Sequence, residues 1–118
     1  MKILLILANQ PYNGSDNTYN ALRLADSLHK KGEEVRIFLM NDAVDLVRDS
    51  TEKPGDYDID LVAKLKELYG GGVALKVCGS CQSRCGVHAG EPYFSDEIKG
   101  SMDILASWVC ECDKTITF

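Results

Sequence analysis

The chain has 118 residues, a formal net charge of -5, and 45% apolar against 26% charged residues. That length supports one domain, residues 1–118, around a single core, and the acidic balance without a Lys/Arg cluster argues against direct contact with nucleic acid. The apolar start, residues 1–8, is too short to span a bilayer and has no leader pattern, so no membrane association is expected and the chain is expected to be cytoplasmic.

The elements follow in chain order. Ile3 to Leu7 is a continuous aliphatic run, the mark of a strand covered on both faces. The polar loop Asn9 to Asn17 contains Pro11 and Gly14, and Ser15 or Asp16 is placed to cap the next helix. From Thr18 to Lys31, Tyr19, Leu22, Ala25 and Leu28 recur at helical spacing, and Gly32 supplies the stop. Glu34 to Met40 reads as the second strand. Asn41 or Asp42 caps a short apolar turn through Ala43, Val44 and Val47, and residues 49–57, broken by Pro54-Gly55, read as a loop. Beginning at Asp58, the residues Ile59, Val62, Leu65 and Leu68 define an amphipathic helix that ends at Gly70-Gly71-Gly72. Val73 to Val77 is strand three. Gly90 to Gly100 reads as a loop or short helix, Ser101 to Cys110 as a helix that places Trp108 in the core, and Thr115 to Phe118 as a last strand. Strands alternating with helices predict an α/β fold, a three-layer α/β/α sandwich with a mainly parallel sheet of four to five strands.

Five cysteines is an odd number for an intracellular chain, which argues against a disulfide scaffold and for catalysis, sulfur handling or metal binding. Three of them sit in Cys78-Gly79-Ser80-Cys81-Gln82-Ser83-Arg84-Cys85-Gly86-Val87-His88, directly after strand three. In open parallel sheets, ligands and chemistry gather at the carboxyl ends of strands. The spacing i, i+3, i+7, i+10 would put Cys78, Cys81, Cys85 and His88 on one face of a helix.

Three chemistries fit this segment. Cys78 can be a nucleophile, its thiolate stabilised by a following helix N-terminus and by Arg84. Cys78 and Cys81 form a C-x-x-C pair suited to thiol–disulfide exchange. Cys78, Cys81, Cys85 and His88 together offer a zinc ligand set. Cys110 and Cys112 stand apart from all three. They enter the opposite edge of the parallel sheet, roughly 16 Å away across a five-residue strand. The loop Asn9 to Asp16 is a weaker candidate for an anion site at a helix N-terminus.

Beyond these local readings, the chain resembles the DsrE/DsrF-like family of small sulfur-relay proteins. The resemblance runs nearly end to end. It is carried by the Pro11-Tyr12-Asn13-Gly14 loop, the helix around Ala21 to Leu28, and strand two with its Asp42-Ala43-Val44 continuation. It continues through the Cys78 junction with Arg84 and Gly86, and through the ending Cys112-Asp113-Lys114-Thr115-Ile116-Thr117-Phe118. The resemblance implies a three-layer α/β/α domain, homo- or hetero-oligomers, and a cysteine that carries sulfur as a persulfide, matched here by Cys78. The expected function is therefore intracellular sulfur relay on Cys78, with Cys81 as helper and Arg84 as electrostatic activator. The expected partners are sulfur donor and acceptor proteins and further copies of the chain. No cofactor is expected, and zinc belongs to the metal-binding alternative.

Overall fold

Aliphatic β-runs cannot leave their backbone groups unpaired in a core, so they assemble side by side. The computed structural model describes residues 1–118. The strands are β1 (Lys2–Leu7), β2 (Glu34–Leu39), β3 (Ala74–Cys78), β4 (Lys99–Gly100) and β5 (Lys114–Thr117), and the helices are α1 (Asn17–Lys30), α2 (Leu61–Gly70) and α3 (Met102–Glu111). The sheet order is β4-β3-β2-β1-β5, and every pair is parallel.

The steps β1 to β2 and β2 to β3 run in one direction across the sheet. Right-handed crossovers then place α1 and α2 on one face, where they pack on each other. The return from β4 to β5 runs the other way and carries α3 to the opposite face. There Trp108 meets Phe38 of β2 edge-on, with ring centroids 6.3 Å apart. The expected three layers are present.

The core is densest around β1 and β2, where Leu4, Leu5, Leu7, Ile37, Phe38 and Leu39 are all buried. Against it α1 sets Ala21, Leu22 and Ala25, and α2 sets Leu61, Leu65 and Leu68. On α3 only Leu105 is fully buried and Trp108 is half-buried, while every residue of β5 is exposed. Trp108 therefore flanks the core and does not fill it.

Three details differ from the sequence reading. At the start of α1 the N-cap residue Asp16 makes no side-chain capping bond, and Ser15, whose Oγ lies 2.8 Å from Asn13 Oδ1, accepts only the Asn17 N–H at 3.4 Å. Helix α2 begins three residues later than Asp58, since the Asp60 carboxylate takes the Ala63 N–H at 3.0 Å and Tyr12 Oη accepts the Leu61 N–H at 2.8 Å. Between Gly90 and Gly100 a single 3-10 turn, Asp96–Ile98, leads into the two-residue β4. Val77 and Cys78 pair with Lys99 and Gly100, which makes β4 the edge strand beside the cysteine segment.

The register fixes where the cysteines lie. Cys78 is one residue beyond the Leu39–Val77 pair, at the carboxyl edge. Cys112 precedes β5 at the amino edge, where the Asp113 N–H reaches the Lys2 carbonyl at 2.8 Å. The two groups of thiols cannot meet within one subunit. Mild oxidation of dilute protein followed by peptide mapping is expected to yield no Cys78–Cys112 disulfide within a monomer, and finding one would contradict this topology.

Candidate functional site

β3 ends at Cys78 and the chain leaves it through turns, not through a helix, across residues 79–90. Gly79 N–H bonds the Gly100 carbonyl (3.2 Å), Gln82 N–H the Gly79 carbonyl (3.3 Å), and Cys85 N–H the Cys81 carbonyl (2.9 Å). Gly86 and Gly90 have positive φ, 88° and 92°, which a continuing α-helix excludes. The expected helical face of Cys78, Cys81, Cys85 and His88 does not form, nor does a helix N-terminus behind Cys78.

The turn activates Cys78 without a helix. Its thiol is buried, 8% exposed, with Sγ 3.3 Å from Ser80 Oγ. Burial alone would raise its pKa. Hydrogen bonds from the Cys81 thiol, the Ser80 hydroxyl and the backbone N–H groups of both residues outweigh that and bring Cys78 below the usual thiol value. Cys81 goes the other way. Burial, the hydrogen bond to Cys78 and a second thiol contact with Cys85 push it up to about 12. The first proton therefore leaves from Cys78, and Cys81 keeps its own to donate. Arg84 is exposed and forms no ion pair or side-chain hydrogen bond, and it is not among the groups that shift Cys78. All five cysteines are free thiols.

A buried ion pair that the sequence reading did not single out holds the loop. Arg48 is fully buried just after the 3-10 turn Asn41–Val47. Its Nη1 donates to the Glu91 carbonyl (2.6 Å), and its Nη2 to the Gln82 and Cys85 carbonyls (3.0 Å each). Nε lies 3.0 Å from Asp45 Oδ1 but is not aimed at it, so this contact is Coulombic and Nε has no hydrogen bond.

Asp45, 2% exposed, accepts the backbone N–H of Val87 (2.7 Å) and His88 (3.3 Å), and Asp42 accepts that of Gly86 (3.0 Å). A side chain on Gly86 would collide with the Asp45 carboxylate. Tyr93 completes the clamp. Its ring lies 5.3 Å from the Arg48 guanidinium, and its hydroxyl donates to the Cys78 carbonyl at 2.8 Å. Burial raises the Tyr93 pKa well above the usual tyrosine range, so this donor stays protonated. The available signal was Asp45, a lone carboxylate inside the apolar run Ala43 to Val47; Arg48 stands at the end of that run beside Asp49 and Ser50.

The zinc alternative needs its donors around one point. No three His, Cys, Asp or Glu side chains are grouped to hold a metal ion. His88 borders a different space, a cavity of about 200 Å³ lined also by Gln10, Tyr12, Asp45 and Glu52. The Asn9–Asp16 loop contributes to that cavity, and the two carboxylates disfavour an anion there.

Removing one partner of the buried pair should be severe. Arg48→Met is expected to destabilise the fold by about 3–5 kcal/mol, because Asp45 and three carbonyls lose their counterpart. Urea unfolding measures this, and a loss below about 1 kcal/mol would show that the clamp is dispensable.

Thiol reactivity offers a second check. With limiting iodoacetamide at neutral pH, Cys78 is expected to be labelled first, and Cys81→Ala to move the midpoint of its pH–rate profile upward by removing a hydrogen bond to the thiolate. First labelling of Cys110 or Cys112 would contradict this assignment.

The sequence pattern of the DsrE/DsrF-like family matches residues 1–118. Protein YchN of Escherichia coli K12 is 33% identical over 120 residues, covering 99% of this chain and 98% of its own. An uncharacterized protein of Methanopyrus kandleri is 31% identical, covering 98% and 93%. The crystal structure of the ychN protein from E. coli superposes with a TM-score of 0.78 at 31% identity and full coverage of both chains. With a family pattern that spans all 118 residues, a relative 33% identical along nearly its whole length and a matching fold, this chain belongs to the DsrE/DsrF-like family.

Proposed function

We propose that this domain relays sulfur by holding sulfane sulfur as a persulfide on Cys78. The observation that carries the reading is the Cys78 thiol at the carboxyl edge of β3. It is lowered in pKa against its own burial by Cys81, Ser80 and two backbone N–H groups. Membership of a family known in sulfur relay supports it. The Cys78 thiolate attacks the outer sulfur of a donor persulfide. A new S–S bond forms to Cys78, the donor S–S bond breaks, and the donor leaves as a thiolate. An acceptor thiolate repeats the exchange and returns Cys78 to its starting state, with no net oxidation in either step. The same hydrogen bonds that stabilise the Cys78 thiolate make it a good leaving group in the second transfer. Arg84, unpaired on the loop surface, is available to a negatively charged donor or acceptor.

Intact mass after exposure to a persulfide donor tests this. The chain is expected to gain one sulfur, about 32 Da, and Cys78→Ser is expected to gain none. Equal uptake by Cys78→Ser would remove Cys78 from the role.

A further inference from the structure

Carrying sulfur requires only one thiol, yet Cys78 has a thiol neighbour that a pure carrier does not use. The Gln82-to-Gly79 hydrogen bond closes a turn that brings Cys81 back onto Cys78. Cys81 is half-buried against the same core as the buried Cys78, and it is among the groups that lower the Cys78 pKa. Arg48 fixes the carbonyls of Gln82 and Cys85, one and four residues after Cys81, so the chain leaving the turn is held in place before any chemistry starts.

We propose, resting on the Cys78 persulfide reading, that this site also discharges its sulfur as sulfide, with Cys81 resolving the Cys78 persulfide within the loop. Cys81 attacks the inner sulfur. A Cys78–Cys81 disulfide forms, and the bond from Cys78 to the sulfane sulfur breaks. The departing sulfur takes the bonding pair, and the Cys81 proton leaves with it as hydrosulfide. The two cysteine sulfurs are together oxidised by two electrons relative to their thiols, and the sulfane sulfur is reduced by the same two. A dithiol reductant from outside the chain then restores both thiols.

The electrostatics support the order of events. Burial raises the Cys81 pKa first, and the hydrogen bond and charge of Cys78 add to it. Loading moves the negative charge of Cys78 one atom outward, to the terminal sulfur. The Cys78 contribution then weakens, and Cys81 gives up its proton more easily when the persulfide is in place than before. Empty protein thus keeps Cys81 quiet, and loaded protein releases it.

The test loads reduced protein with glutathione persulfide, removes the excess without oxygen, and follows trapped sulfide and intact mass over time. Wild-type chain is expected to release about one sulfide per loaded sulfur and to yield a mapped Cys78–Cys81 disulfide. Cys81→Ser and Cys81→Ala, checked as folded by circular dichroism, should retain the added sulfur at least about tenfold longer. Equal retention by wild type and both variants overturns the proposal while leaving the carrier role intact. A disulfide that maps to Cys85 in place of Cys81 also overturns it. No sulfur uptake by any of the three proteins overturns the carrier role and this step with it.

Discussion

A guanidinium with no solvent exposure must find acceptors for its N–H groups and a countercharge, or the fold loses several kcal/mol. Arg48 finds three carbonyls and Asp45, and all three carbonyls belong to the cysteine loop. Asp45 then binds two N–H groups of the same loop. A segment of turns with little apolar content, which would otherwise fray, is thereby tied to the most buried part of the domain. Through Tyr93, the same network reaches the carbonyl of Cys78 itself. The Cys78 junction is thus held by this network as well as by the loop's own hydrogen bonds.

With that frame fixed, chemical difference arises between two identical side chains three residues apart. Cys78 and Cys81 share a hydrogen bond, yet one is lowered and the other raised. The difference is local. Cys78 collects donors from Ser80 and the turn backbone, while Cys81 lies between two thiols and receives less. The opposite shifts of the two thiols follow from where each lies in the turn.

The strands and helices were legible in the sequence because long aliphatic runs and heptad-like spacing leave few alternatives; β1, α1, β2 and α3 start within one residue of their expected positions. β4 was not legible, since two residues ending in glycine carry no period. Cys78 was legible from its place after β3. Its activating groups were not. Helical spacing of cysteines implied a dipole, but Gly86 and Gly90 open the backbone and exchange that helix for a turn. Arg48 was hidden for a different reason. A charged residue at a loop boundary reads as solvated, and only the tertiary fold shows that its partners lie 34 to 43 residues away.

Every bond that the clamp makes to the stretch from Gln82 to Glu91 ends on a main-chain atom. The clamp therefore places no demand on side-chain identity there, except at Gly86, where the carboxylate leaves no room, and the backbone adds one at Gly90, whose φ of 92° favours glycine. Such a cradle works as a socket. The exposed side chains at 83, 84 and 87 take no part in the clamp, whereas Cys85 is half-buried against the core. The face that the loop presents to a partner can in this way vary at those three positions, with the core and the sheet left as they are.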